Sequence, residues 1–308
     1  MVSLKGKKVL IGPSSFAALD KAPMKRLLDT GCEVIDNPFK RKLTKPELIG
    51  LLSNGITGLI AGLETLDREV LEGSSLKVIS RCGVGMSNVD LEAAKKLGIK
   101  VFSTPGAPTA SVAELTVGAL LSMMRMIPQM DRDLHDGKWV KRVGVQLKGK
   151  VAAIIGFGRI GKLVAKILKS FEAEVLAVDP LLHSVTDSIP LVSLEEALPR
   201  ADIITIHCSG DNCILGSKEF KIMKGGVYLL NSARGNVIDE YALIEALKQK
   251  KVAGAWLDTF KQEPYEGPLK GFSQVILTPH AGSYTAECRR EMEIEAVENL
   301  IHAFGQEG

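Results

Sequence analysis

Three short segments carry the side chains best suited to chemistry: Asn231-Ser232-Ala233-Arg234-Gly235, Leu257-Asp258-Thr259-Phe260-Lys261-Gln262-Glu263-Pro264 and Leu277-Thr278-Pro279-His280-Ala281-Gly282. Each follows an apolar run and sets polar or ionisable groups where the run stops. Together they supply an arginine, a carboxylate and a histidine, a set suited to reducing a 2-oxo acid. A planar guanidinium grips a carboxylate and polarises the neighbouring carbonyl. A histidine exchanges a proton with the reacting oxygen near neutral pH, and a carboxylate beside it fixes the ring.

A second motif lies upstream. Gly156-Phe157-Gly158-Arg159-Ile160-Gly161 directly follows the apolar run 151–155 and precedes a helical stretch over 162–170. Gly156 allows a tight turn, Gly158 lets the backbone approach a pyrophosphate, and Gly161 permits close helix-to-strand packing, with the helix amino end facing the anion. Asp179 follows about 20 residues later, where a carboxylate accepts hydrogen bonds from an adenosine ribose. It also repels a 2′-phosphate, so the motif predicts NAD rather than NADP. Arg159 reads equally well as a solvated cation and as a neighbour of the pyrophosphate.

Such groups converge only if several strands end at one edge. Short β-branched runs alternate with helical patterns along the whole chain, the signature of parallel sheets covered by helices. A first set of strands is expected at 8–11, 33–35, 58–60, 77–80 and 100–102, with a short helix at 90–97 stopped by Gly98. The loop Arg81-Cys82-Gly83-Val84-Gly85-Met86 sits at a strand's carboxyl end, where open α/β sheets bind ligands. Thr104-Pro105-Gly106 and Ala107-Pro108 punctuate the chain before a helix at 111–126. A second set is expected at 151–155, 174–178, 202–207, 227–231, 253–257 and 275–278, followed by a helix over 286–304 with charges on its outer side. The fold class is α/β, with two Rossmann-like, doubly wound parallel-sheet domains.

At 308 residues the chain is about twice the ~150 expected per domain. With 39 basic and 36 acidic residues the net charge is +3, and 45% of residues are hydrophobic. That balance argues against disorder and against a strongly basic nucleic-acid binder. Aromatic residues make up 5%, which leaves few stacking platforms for single strands. The amino terminus shows no secretory pattern, and the longest apolar tract, 115–124, is about half of the ~20 residues a membrane span requires. Five cysteines without a Cys-x-x-Cys pair fit reduced cytosolic thiols better than disulfides or a metal site. The expectation is a soluble, cytoplasmic protein with neither a nucleic-acid nor a membrane partner.

The combined motifs resemble the D-isomer-specific 2-hydroxyacid dehydrogenase family, in its phosphoglycerate dehydrogenase-like branch. The resemblance runs from the 81–90 loop and Thr104-Pro105-Gly106 with Val112-Ala113-Glu114 through to His280-Ala281-Gly282. It implies that Arg234, Glu263 and His280 are the catalytic arginine, the acid paired to histidine and the proton donor. It implies that Asp258 holds the nicotinamide carboxamide, while Ala233, Gly282 and the His207-Cys208-Ser209 turn line the cofactor. Backbone N–H groups at Val84 and Gly85 would meet the substrate carboxylate, with Arg81 as an anion partner on the same loop. The family also implies a discontinuous substrate domain, 1–104 with 283–308, around an NAD-binding domain at 105–282, and an active site in the cleft between them. A homodimer is implied through the NAD-binding domain, using the 111–126 helix and an arm over 131–139. The chain stops roughly one helix after His280, which implies a member without a carboxy-terminal regulatory domain.

Blander readings exist for several of these residues. His207 could be a satisfied core histidine, Cys82 and Cys208 read as small buried side chains, and Met123, Met124, Met126 and Met130 as packing. Ser209-Gly210-Asp211-Asn212 departs from the family's usual Pro and Leu-Thr after His207-Cys208, and Ser87 stands where relatives commonly carry Asp. Ala61-Gly62-Leu63-Glu64 lacks the basic residue that phosphoglycerate dehydrogenases often use for phosphate. Candidate acids are therefore 3-phosphoglycerate, glycerate, glycolate and D-lactate with their oxo forms. Glyoxylate or hydroxypyruvate reduction is one alternative. A non-catalytic NAD-sensing protein and the NAD-linked oxidation of a different reduced anion, such as formate or phosphonate, are the others.

Overall fold

Apolar runs with no polar alternation become strands buried on both faces, and the chain contains two sets of them. The computed structural model describes residues 2–184 and 188–306, and the backbone divides into two units, Met1–Pro108 with Tyr284–Gly308 and Thr109–Ser283. Residues 105–108, expected with the cofactor unit, group with the chain ends, and Ser283 groups with the central unit.

In the first unit the order is β1 (Lys8–Ile11), α1 (Ala22–Leu28), β2 (Glu33–Ile35), α2 (Lys45–Leu52), β3 (Gly58–Ala61), α3 (Arg68–Glu72), β4 (Val78–Arg81), α4 (Leu91–Lys96) and β5 (Lys100–Phe102). The strands form one parallel sheet, β2-β1-β3-β4-β5. Alternate side chains feed two apolar layers. Val9, Ile11 and Ile60 pack with Leu27 and with Ala296, Val297 and Leu300 of the last helix of the chain, Ala286–Gly305. Leu10, Leu59 and Ile79 pack on the other side against Leu48, Leu71 and Ala94. Helix α4 begins where the Asp90 side chain accepts from the Ala93 N–H and ends before Gly98 at φ +69°, the expected stop for a left-handed position.

The second unit contains α5 (Pro108–Met124), α6 (Ile127–His135), β6 (Val151–Ile155), α7 (Arg159–Ser170), β7 (Glu174–Val178), α8 (Leu194–Ala197), β8 (Ile203–Ile206), α9 (Ser217–Ile222), β9 (Val227–Asn231), α10 (Glu240–Lys248), β10 (Val252–Leu257) and β11 (Val275–Leu277), so the chain's last helix is α11. Its parallel sheet has the order β11-β10-β9-β8-β6-β7. Ala153 and Ile155 face α8, α9 and α10, whereas Ala152 and Ile154 face α5 and α7.

Two expectations are corrected. The helix expected at 111–126 starts at Pro108, because proline at a first helical position loses no bond. It stops at Met124, and Met126 at φ +54° turns the chain into α6. Much of the expected 131–139 arm is therefore helical, up to His135. Among the described residues no single helix is long and apolar enough to cross a membrane.

Candidate active site

Six strands of the second unit end level with one another. Val178 pairs with Ile155, Ile155 with Ile206, Ile206 with Asn231, Asn231 with Leu257, and Leu257 with Leu277. One step beyond this row stand Asp179, Gly156, His207, Ser232, Asp258 and Thr278. Parallel pairing alone thus gathers the chemical residues at the carboxyl edge, where α/β sheets bind ligands.

At the Gly-rich turn, Gly156 has φ +89°, and a Cβ there would lie 2.4 Å from the Cys208 backbone nitrogen. A Cβ on Gly161 would lie 2.2 Å from the Gly156 carbonyl oxygen. Both glycines are therefore required by backbone contacts. Gly158 differs: a Cβ there meets nothing within 4 Å, so that face is open to a ligand. Gly158 is also the N-cap of α7 and makes no side-chain cap, which leaves amino-end N–H groups for an anion. Asp179 accepts the Phe157 N–H at 2.9 Å and the Leu181 N–H at 3.0 Å, one on each oxygen, so lone pairs remain for ribose hydroxyls. These features fit a dinucleotide with an unphosphorylated adenosine ribose.

At the other side of the sheet two of the three residues expected to act together, His280 and Glu263, are paired. His280 Nδ1 lies 3.0 Å from Glu263 Oε2, and Glu263 Oε1 accepts the Phe260 N–H at 3.0 Å. The carboxylate is thus held at both oxygens and fixes the imidazole. Arg234 follows β9, the strand next to β10. Its Nη1 donates to the Ala233 carbonyl at 2.7 Å. Asn231, 1% exposed, accepts the Ala233 N–H and donates to the Arg234 carbonyl. A Cβ on Gly235 would stand 1.9 Å from the Phe260 carbonyl carbon, so the arginine turn packs directly on the segment that leads to Glu263.

Asp258, expected as a cofactor contact, is tied into the loop that carries His280. It is 1% exposed, and Oδ1 accepts from the Thr278 hydroxyl at 2.5 Å and from the Ala281 N–H at 2.8 Å. Oδ2 accepts the Gly282 N–H at 2.8 Å. The bonds bracket His280, whose φ is +54°, a left-handed conformation that costs a side-chain-bearing residue about 1–2 kcal/mol. The Ser111 hydroxyl donates to the Gly282 carbonyl and the Trp256 indole donates to the Thr278 hydroxyl. Asn231, Ser111, Trp256 and Thr278 support the site without a role among the sequence expectations. The one signal is that Asn231 and Thr278, within the polar segments, end apolar runs.

His207 sits between two hydroxyls, Thr205 at 2.8 Å and Ser232 at 3.1 Å. Burial lowers its pKa to about 3, so the ring is neutral at physiological pH and holds the turn. The Cys208 thiol is shifted upward by burial, and burial pushes Cys82 up to about 12. Neither is poised as a nucleophile. Ser209 is exposed and Arg159 opens α7.

In the first unit Arg81, expected in the loop, is instead the last residue of β4, and the loop after it carries Val84 and Gly85. Arg81 Nη1 donates to the Cys82 carbonyl at 2.9 Å and lies over Gly83, where a Cβ would be 1.3 Å away. Gly83 at φ +137° donates its N–H to the Thr104 hydroxyl at 2.8 Å. The Val84 and Gly85 N–H groups have no protein acceptor among the described residues.

Residues 117–282 match the family model described as "D-isomer specific 2-hydroxyacid dehydrogenase, NAD binding domain". The chain is 36% identical to D-3-phosphoglycerate dehydrogenase of Archaeoglobus fulgidus over 96% of its own length and 57% of the relative's. It is 36% identical to hydroxypyruvate reductase of Thermotoga maritima over 85% of this chain and 89% of that one. The crystal structure of TT0316 protein from Thermus thermophilus superimposes with TM-score 0.88 at 34% identity, covering 96% of each chain. The chain belongs to the D-isomer-specific 2-hydroxyacid dehydrogenase family. Its 117–282 segment is the NAD-binding domain of that family, and the chain spans little more than half the length of the phosphoglycerate dehydrogenases it matches.

Proposed function

We propose that the chain is an NAD-dependent oxidoreductase that interconverts a small (R)-2-hydroxy acid and its 2-oxo acid. The observation that carries this reading is the His280–Glu263 pair at 3.0 Å, set just past β11 in an NAD-binding domain. NAD, when bound, supplies or accepts the hydride exchanged with C2 of the acid. His280 holds a proton at Nε2, the ring nitrogen turned away from Glu263, and gives it to the carbonyl oxygen in reduction. In oxidation the same nitrogen takes the hydroxyl proton. Glu263 stabilises the imidazolium and keeps the ring in one orientation. The Arg234 guanidinium binds the substrate carboxylate and draws charge from the carbonyl. The N–H groups of Val84 and Gly85 are donors of the kind a carboxylate takes. Asp258 reaches the carboxamide with the capacity its loop leaves, while Ala233, Gly282 and the 207–209 turn line the cofactor.

Consumption of NADH with glyoxylate, pyruvate, hydroxypyruvate and 3-phosphohydroxypyruvate tests this reading. At least one acid is reduced, and NADH exceeds NADPH by about ten-fold or more in kcat/KM, equivalent to about 1.4 kcal/mol of repulsion at Asp179. Tight NADH binding with no turnover of any acid would replace the enzyme by an NAD-sensing protein.

We also propose a homodimer and a cytoplasmic location. Ile127, Leu134, Trp139, Val140, Val143 and Val145 are exposed, Trp139 by 82% and Val143 by 94%. Such a concentration of exposed apolar side chains in the second unit marks a surface that another protein covers. Light scattering is expected to give twice the chain mass; a monomer at every concentration would sink the dimer. The five unpaired thiols suit a reducing compartment.

A further inference from the structure

The proposed reaction makes no use of one cavity in the second unit. It encloses about 800 Å³, a size at which proteins hold small molecules. Every residue that lines it lies between Cys213 and Leu269, so the cavity belongs to one unit. Thr259 is among them. It is 3% exposed and its hydroxyl has no hydrogen-bond partner, although buried hydroxyls are normally paired. Asp239 and Lys261, both exposed, bring opposite charges to the lining. Of the other two carboxylates there, Glu240 accepts from the Tyr265 hydroxyl and Glu266 is paired with Lys270.

The same lining carries a thiol. Of the five cysteines, Cys32, Cys82 and Cys288 are buried, Cys208 is half-buried, and Cys213 is exposed. The position of Cys213 is fixed by the two residues after it, since Ile214 and Leu215 both donate their N–H to the Val237 carbonyl. A group attached to its sulfur has the cavity beside it.

The cavity also adjoins the His280–Glu263 pair. Phe260 and Tyr265 line it, and both line a second cavity of about 540 Å³ that includes Glu263 and His280. The two rings stack with centroids 4.3 Å apart and form a common wall. That wall has little slack. The Tyr265 hydroxyl donates to Glu240 Oε1 at 3.0 Å and accepts the Leu269 N–H at 3.2 Å, and a Cβ on Gly267 would stand 2.3 Å from it. Phe260 in turn gives its N–H to Glu263. A molecule that fills the first cavity therefore bears on the residue that holds the acid of the pair.

We propose that Cys213 is a thiol-modification site: a small zwitterionic disulfide of the glutathione kind exchanges with it, and the attached tripeptide occupies the cavity and slows turnover through Phe260. The effect on turnover rests on the reaction proposed above, whereas the modification does not. In the exchange the Cys213 sulfur, as thiolate, attacks one sulfur of the disulfide. The S–S bond of the reagent breaks, a Cys213–tripeptide S–S bond forms, and the released thiolate takes up the proton that Cys213 gave to solvent. One disulfide replaces another, so no further oxidant is needed. The ammonium and carboxylate ends of the tripeptide suit Asp239 and Lys261, and its amides suit the Thr259 hydroxyl.

The experiment treats the protein with glutathione disulfide, maps the product by mass spectrometry and follows reduction of its best 2-oxo acid. A single tripeptide per chain is expected, on Cys213. The kcat falls by about ten-fold, part of the about 10²–10⁴ that a positioned acid supplies, while NADH affinity stays within a few-fold. Dithiothreitol restores both mass and rate. Cys213→Ser takes up no tripeptide and keeps the wild-type rate. Methyl methanethiosulfonate leaves only a methylthio group on Cys213, too small to reach the wall, and the rate is unchanged. A tripeptide on another cysteine or on none, a full rate with Cys213 modified, or an equal loss with the methylthio group overturns the proposal and leaves the reaction intact. Absence of turnover in the untreated protein instead removes the reaction and the effect on it, and the mapping alone then decides the site.

Discussion

Replacement of His280 by alanine lowers kcat for 2-oxo acid reduction by about 10²–10⁴-fold, the range contributed by a positioned general acid. The expectation follows from geometry within one unit. Glu263 is held at both oxygens, by the Phe260 N–H and by His280 Nδ1, so the ring has one orientation and one nitrogen left for the substrate. Alanine removes the proton donor and leaves the NAD-binding turn and Arg234 untouched. The loss therefore falls on kcat, while the affinity for NADH measured by fluorescence stays within a few-fold of wild type. A His280→Ala enzyme that turned over at the wild-type rate would show that the proton comes from elsewhere.

The second large effect is expected at a residue that never exchanges a proton. Asp258→Ala leaves the Thr278 hydroxyl and the Ala281 and Gly282 N–H groups without their acceptor, all in or near the buried base of the loop. With about 1–3 kcal/mol for each buried group left unsatisfied, the loss sums to roughly 3–5 kcal/mol once water reaches part of the gap. The second unit should melt roughly ten degrees lower. Activity should fall as well, because the left-handed turn at His280 is no longer held from both sides. Calorimetry of wild type and variant, with and without NADH, checks the first part. A melting profile identical to wild type would show that the three bonds are dispensable.

Much of this site is legible in the sequence because polar residues interrupt apolar runs at fixed places. The fingerprint at 156–161, Asp179 and the Arg234, Glu263 and His280 segments all stand directly after strands whose composition admits little else. Strand limits also follow, within a residue or two. The short helices α1, α2, α3, α8, α9 and α10 have no counterpart among the sequence expectations. Segments of four to nine residues show too few turns for a periodicity to emerge, and their helicity comes from packing on a sheet. The family resemblance implies an arm over 131–139, yet residues 131–135 form the end of a helix that exposes Ile127 and Leu134.

The roles of acidic residues were the least legible. The family resemblance implies a ligand contact for Asp258, and its place after a strand looks the same whether the side chain faces outward or folds back. Only the structure reveals three donors converging on it from residues 20 to 24 positions away. Glu64 in sequence is a surface charge by default, and its burial depends on Gly12 and Gly62 leaving room beside it.

The level strand ends also bear on how the second sheet finds its alignment. A strand that is apolar on both faces gains the same burial after slipping by one residue, so hydrophobic patterning is a weak guide to register there. The polar residues one step beyond the strands are a strong one. Sliding β9 or β10 inward would drag Ser232 or Asp258 between apolar layers without its partners, a cost of several kcal/mol for a charged group. The same polar side chains that the proposed reaction draws on at the edge thus act as stops for the strands behind them. Changes that strip the edge of its polarity should therefore loosen strand alignment as well as chemistry.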